Sequence, residues 1–308
     1  MGLDYDIDRE TPDLSGKSFF ITGAKGTGGI GAESAKHLAK HNASNIYISG
    51  RNGKNAEKVI ASIRDSGSKT KVIFIECDLA SLDSVKRAAE TFIEQAADGL
   101  DVLMCAAGIM AVPAGLTSDG YEIQFGTNHL GHALLIKKLV PLLQARATQG
   151  KDPRIVILTS QAWAIHPMGG VAFEKLQTTQ ESFFMGTWFR YGQSKFANLV
   201  YARELSKRYP QITSVSIHPG IVLTDLVGTL RPQHKAFTYA TSWWRMLQPH
   251  EGAYNQVWAA TADKNTLVQG GYYEPVGKLE NKSLDSTAKN EKVGERLWEW
   301  TQAALEEY

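Results

Sequence analysis

With 308 residues, the chain has room for one large domain or two average ones. A composition of 43% hydrophobic and 21% charged residues excludes a disordered or collagen-like chain. A formal net charge of +1 gives no electrostatic case for nucleic acid or an anionic membrane surface. No apolar run is long enough to span a membrane, and the polar start MGLDYDIDRE is not expected to be a signal peptide. Cys77 and Cys105 each close an apolar run, so they read as small buried hydrophobes and not as a disulfide framework. The expected location is cytoplasmic.

In chain order, short β-branched runs predict strands at Ser18–Ile21, Asn45–Ser49, Val72–Ile75, Val102–Met104, Ile155–Leu158 and Val215–Ile217. Amphipathic stretches between them predict helices at Ala32–His41, Ala56–Asp65, Ser84–Ala97 and Asn128–Leu143. This alternation implies α/β architecture: a Rossmann-like, doubly wound parallel sheet with helices on both faces. No linker or repeat divides the chain, so residues 1–308 are expected to be a single domain with irregular insertions at about 163–189 and 226–250. Both insertions follow strands of the C-terminal half, where open α/β sheets bind ligands. In the tail, Ala288 to Glu306, the residues Val293, Leu297, Trp300 and Ala304 recur at helical spacing and should pack against the domain.

The first strand runs into "TGAKGTGGIG", Thr22 to Gly31. A glycine turn between strand and helix lets backbone approach a pyrophosphate, and the helix N-terminus adds unpaired N–H groups and a positive dipole end. Two parsings fit: Gly26-x-Gly28-x-x-Gly31 as a dinucleotide fingerprint, or Thr22-Gly23 with Gly29-Ile30-Gly31 as a turn lengthened by two residues. The second strand ends "NIYISGRN", placing Arg51 twenty positions after Gly31. Folds that bind NAD carry an acid there for the ribose 2′-hydroxyl, whereas an arginine suits the 2′-phosphate of NADP. Lys25, inside the turn, is a second candidate phosphate contact.

Farther on stand "LMCAAGIM" (103–110), "GTNHLGH" (126–132), "RIVILTSQAW" (154–163), "YGQSK" (191–195) and "HPGIVLTDL" (218–226). In this order and spacing they resemble the short-chain dehydrogenase/reductase family, in its branch of retinol-dehydrogenase-like and fungal metabolic reductases. The resemblance runs from about Leu14 to Leu226 and favours the lengthened-turn parsing. Cys105-Ala106-Ala107-Gly108 stands where the family usually has Asn-Asn-Ala-Gly, so a sheet-bracing asparagine is lost while the small residues still leave room for ribose. By the same matching Asp78 would face the adenine, with Leu79 packed beside it. Gly220, after Pro219, would approach the nicotinamide, and Thr224 would bond its carboxamide.

The resemblance makes Tyr191 the proton donor and acceptor, with Lys195 four residues on and so on the same helix face. A nearby ammonium should favour phenolate, since a free phenol titrates near ~10. It makes Ser160 the residue that polarises the substrate carbonyl, with Thr159 as a less apt neighbour. It makes Asn128 the holder of a water that connects the lysine to solvent. Lys195 would also bind the nicotinamide ribose. His129 and His132, three apart, have no convergent third metal ligand and read as packing or surface residues, while His166 is a candidate substrate contact. The expected activity is NADP(H)-dependent interconversion of a carbonyl and an alcohol. Reduction of an activated C=C or imine bond, and cofactor sensing without turnover, are the alternatives. The aromatics Trp163, Phe173, Phe183, Phe184, Trp188, Trp243 and Trp244, with Met185, suggest a lipophilic substrate. Family members often pair through the two long helices that carry Asn128 and Tyr191, so a homodimer is among the expectations.

Overall fold

The computed structural model describes residues 5–23, 28–181, 185–223, 228, 234–235 and 246–308. In chain order its strands are β1 (Ser18–Thr22), β2 (Asn45–Gly50), β3 (Lys71–Glu76), β4 (Val102–Cys105), β5 (Arg154–Leu158), β6 (Thr213–Ile217), β7 (Ile221–Val222), β8 (Met246–Leu247), β9 (Tyr272–Glu274) and β10 (Lys278–Leu279). The longer helices are α1 (Ile30–Lys40), α2 (Gly53–Asp65), α3 (Leu82–Gln95), α4 (Gly131–Thr148), α5 (Gly186–Arg208), α6 (Tyr254–Thr261) and α7 (Glu291–Ala304). The main sheet has the order β10-β9-β6-β5-β4-β1-β2-β3 and is parallel apart from the β9–β10 pair. It is the doubly wound sheet the alternating pattern implies, and its order reverses between β1 and β4. The crevice beyond the carboxyl ends of those two strands is where such sheets bind ligands.

Successive strand residues divide between two cores, as a two-residue period requires. Phe19, Ile21, Val102, Met104, Val156 and Leu158 pack on the face covered by α1, α2 and α6. Phe20, Leu103, Cys105, Ile155 and Ile157 pack on the other face, under α3, α4 and α5. Both cysteines are buried and reduced, and burial pushes the Cys77 thiol up to about 12. Helices α2 and α3 begin a turn or part of one before the expected Ala56 and Ser84. Their first turns are polar and start from side-chain caps: Asn52 accepts from the Asn55 N–H and Ser81 from the Ser84 N–H.

The tail packs as its periodicity implies. Trp298 stacks on Tyr201 of α5 at 5.3 Å, and Trp300 meets Tyr121 and Phe125 edge-on. Helix α7 thereby occupies one side of α5, which is buried within the chain along nearly its whole length. Helix α6 and the edge strands β9 and β10 were not among the expected elements, being too short to declare a period. The N-terminal turn of α5 falls inside the stretch expected to be irregular. Among the described residues no helix is long and apolar enough to cross a membrane.

Candidate active site

The turn after β1 begins at Gly23, whose φ is +82°; a Cβ there would lie 2.7 Å from the Ala107 Cα. Only glycine takes this backbone shape at low cost and lets β1 and the segment after β4 close together. Ala24 to Thr27, including Lys25 and Gly26, lie outside the described residues. Gly29 is the N-cap of α1 and contributes no side-chain hydrogen bond, so the first turn, with Ile30 and Gly31, has no side-chain cap. Space is open beside Gly28. An uncapped helix start at the sheet's switch point fits a pyrophosphate. At the end of β2, Arg51 is exposed and makes no hydrogen bond or ion pair among the described residues, so its guanidinium is available to an anion.

At the end of β4 the Thr22 hydroxyl oxygen accepts the Ala106 and Ala107 N–H groups at 2.9 and 3.0 Å. The sheet is thus braced here without the asparagine that Cys105 replaces. Gly108 follows, and a Cβ there would press on Asn128 Oδ1 at 3.0 Å and approach Lys195 Nζ to 3.6 Å. Asp78 is half-buried and caps its own turn, accepting from the Ala80 N–H. Leu79 departs from expectation: it is buried in the core, with its carbonyl against Gly131, and offers almost no surface to an adenine ring. Pro219 and Gly220 lie between β6 and β7, and Gly220 has φ +90°. Thr224 lies outside the described residues.

Asn128 lies in a turn of π-helix, Gly126–Leu130, that leads into α4. Its amide pairs with both backbone groups of Ile109, accepting from N–H at 2.8 Å and donating to C=O at 2.9 Å, and also donates to Ser194 Oγ at 2.9 Å. Its own carbonyl accepts from the side chains of His132 and Asn198. The residue therefore ties the segment after β4 to α5.

Tyr191 and Lys195 project from one face of α5, with Lys195 Nζ 5.8 Å from the phenol ring centroid. Nζ donates to the Leu158 carbonyl at the end of β5. Ser160 lies near enough to the Tyr191 phenol to favour its ionised form, and its hydroxyl accepts from the Ala162 N–H. Thr159 instead donates to the Lys195 carbonyl at 2.7 Å and is 2% exposed, which separates the two hydroxyls. Burial pushes the Tyr191 phenol up to about 12, opposed only in part by Ser160, and burial pulls the Lys195 ammonium down to about 8. Desolvation is the largest influence on Tyr191 and favours its neutral form, where the neighbouring ammonium was expected to favour phenolate.

Of the described aromatics expected at the mouth, Trp188 sits beside Tyr191, in an apolar wall with Met185, Met110, Ala111 and Ala162. Trp163 and Phe173 are core residues, packed on Tyr272 and Trp300 respectively. Phe183, Phe184, Trp243 and Trp244 lie outside the described residues. His166 bonds Asp285 at 2.8 Å and the Pro167 carbonyl at 2.7 Å, so both ring nitrogens are already engaged. A cavity of about 630 Å³ opens at the opposite, N-terminal edge of the sheet, lined by Asn45, Asp98 and Arg146 among others. Those groups are already engaged: Asn45 with Asp98, and Arg146 with Asp101.

The family model for short chain dehydrogenases matches residues 17–173. An uncharacterised oxidoreductase of Schizosaccharomyces pombe is 34% identical over 310 residues, spanning 97% of this chain and 87% of its own. The chain belongs to the short-chain dehydrogenase/reductase family. Within this oxidoreductase family it falls in the retinol-dehydrogenase-like branch. Mouse retinol dehydrogenase 12 is 33% identical, covering 92% of this chain and 85% of the relative, and human polyprenol dehydrogenase is 32% identical, covering 90% and 82%. A crystal structure of an uncharacterised protein from Mycobacterium paratuberculosis matches this short-chain dehydrogenase with a TM-score of 0.74 at 26% identity, over 99% of this chain and 98% of the other. The family uses a nicotinamide dinucleotide. Sequence reasoning passed over Thr22, Ser194 and Asn198, although Thr22 opens the glycine motif and Asn198 follows Lys195 by one helical turn.

Proposed function

We propose that this protein is an NADP(H)-dependent oxidoreductase that interconverts a carbonyl and an alcohol on a small lipophilic substrate. The observation that carries the reading is the Ser160–Tyr191–Lys195 cluster: a hydroxyl beside a buried phenol, with the Lys195 ammonium 5.8 Å from the centre of its ring. The cofactor would be held by the first turn of α1 at Gly29, Ile30 and Gly31, by Gly23, and by the Ala106–Ala107–Gly108 segment. Asp78, Pro219, Gly220 and Lys195 would complete the site, with Lys25 and Thr224 as further proposed contacts. Arg51 would take the 2′-phosphate. Bound, the reduced nicotinamide supplies the hydride. Ser160 donates a hydrogen bond to the substrate oxygen and holds it toward Tyr191. Tyr191, kept neutral by burial, gives its proton to that oxygen as negative charge develops. Lys195 replaces the proton, its own affinity already lowered to about 8. Asn128 braces Ile109 against α5, so the strand-end segment and the catalytic helix keep one geometry.

The apolar wall of Met110, Ala111, Met185 and Trp188 supports a lipophilic substrate. So do two relatives named for retinol and polyprenol, both lipophilic alcohols. The experiment is a panel of aliphatic and prenyl aldehydes, ketones, enones and imines, offered with NADPH and with NADH. Oxidation of NADPH by the aldehydes or ketones supports the reading. Turnover confined to enones or imines, or none with any of them, overturns it.

A further inference from the structure

His129 and His132 form no metal cluster among the described residues. They flank Asn128 and are buried, at 1% and 2% exposure. Hydrogen-bond chemistry assigns each a single tautomer. His132 Nδ1 lies 2.9 Å from the Asn128 carbonyl, which can only accept, so Nδ1 carries the proton. Its Nε2 lies 2.9 Å from Thr22 Oγ1, whose oxygen accepts two backbone N–H groups and whose own proton has two acceptors in reach, this imidazole nitrogen and, farther off at 3.5 Å, the Met104 carbonyl. For His129 the anchor is Asn198, whose amide nitrogen faces two carbonyls, Asn128 and Leu158, at 3.1 Å each. That pins Asn198 Oδ1 toward His129 Nδ1 at 3.3 Å, so here too Nδ1 is the protonated nitrogen. Its Nε2 then accepts from the Thr301 hydroxyl of α7 at 3.1 Å.

We propose that His129 and His132 are positioning residues that, as neutral Nδ1–H imidazoles, hold the Asn128 carbonyl from two sides, His132 directly and His129 through Asn198. His132 ties it to Thr22, and through Thr22 to the Ala106–Ala107 segment on the cofactor side. His129 orients Asn198, which shares the Leu158 carbonyl with the Lys195 ammonium. The segment that borders the cofactor and the lysine beneath the phenol therefore take their positions from one carbonyl. Burial, with Lys195 and the other imidazole nearby, pulls His132 down to about 4 and His129 to about 3, so both stay neutral across the working range. This inference rests on the preceding reading that Asn128, Tyr191 and Lys195 serve hydride chemistry.

Nitrogen-15 NMR of the full chain labelled at histidine tests the assignment without turnover. Both rings are expected as the Nδ1–H tautomer at neutral pH, the minor form of free imidazole; an Nε2–H or charged ring at either position overturns the proposal. Two variants separate positioning from scaffolding. His132→Asn places an amide nitrogen where Nδ1 stood, keeping the Asn128 bond and losing Thr22. NADPH affinity should fall about tenfold with the pH profile of kcat in place. His132→Gln reaches Thr22 and loses Asn128. Affinity should stay within about threefold while kcat falls about tenfold and its pH limb moves by about half a unit or more. Equal losses of affinity and kcat in both variants, with the limb unmoved, mark His132 as scaffold only and overturn the proposal. If wild type turns over no carbonyl, the preceding reading falls, and the tautomers and NADPH affinities still decide this one.

Discussion

The second strand of a βαβ unit ends about twenty residues past the glycine turn, and Arg51 stands at that point. In the structure it stands exposed and unengaged among the described residues. Charge-assisted hydrogen bonds contribute about 1.5–3 kcal/mol, roughly ten- to hundredfold in affinity. Arg51→Asp should therefore weaken NADPH binding by that factor and leave NADH binding equal or better, with little change in folding at so exposed a site. Titration of both cofactors checks this, and a wild type that already prefers NADH removes the assignment. Tyr191, Lys195, Ser160 and Asn128 were legible as an ordered set. What sequence could not settle was which neighbours dominate each group. Burial is the largest influence on Tyr191, and it places Trp163 and Phe173 in the core, because an aromatic in an irregular stretch looks the same lining a pocket or filling one.

Two elements frame the proposed cofactor and catalytic site: the start of α1 and the π-turn before α4. An amphipathic period announces a helix, but it does not distinguish a π-turn from an α-turn, so the geometry around Asn128 had no sequence signal. The missing cap of α1 did have one: a glycine stands at the N-cap, Gly29, in extended backbone at φ −89° that any residue can adopt. Aspartate there would cap the helix and gain a few tenths of a kcal/mol over glycine. Its carboxylate would also repel a pyrophosphate. Gly29→Asp should leave the unfolding temperature unchanged or slightly higher while NADPH affinity drops tenfold or more, by about 1.4 kcal/mol. Unchanged affinity in a folded Gly29→Asp protein would place the phosphates elsewhere.

Over the whole molecule, the topology followed from the alternation of periods, while β9, β10 and α6 did not, since elements of 3, 2 and 8 residues leave too little pattern. Both cores bury polar groups as well, and three histidines are kept neutral by burial: His129 at about 3, His132 at about 4 and His218 well below its ordinary value. Unfolded, each returns to about 6.5. Their contribution to stability is complete above that value and is lost as pH falls through the window down to about 4. Near pH 5 these rings should together take up about three protons from solvent on unfolding, a slope of about 4 kcal/mol per pH unit. Calorimetry at a series of pH values should show the unfolding temperature falling steeply below about pH 6.5. A flat temperature from neutrality to pH 5 would mean the rings are solvated.

In the proposed reaction Tyr191 delivers a proton to a carbonyl oxygen during hydride transfer from NADPH. The measurement that reaches it most directly is single-turnover oxidation of bound NADPH on mixing with a lipophilic aldehyde, in wild type and Tyr191→Phe. Wild type should convert its bound cofactor stoichiometrically. The phenylalanine variant should bind NADPH within about threefold and react about 10²–10⁴-fold more slowly, the usual contribution of a positioned general acid. A variant that keeps more than a tenth of the wild-type rate would contradict the account and assign the proton to another group.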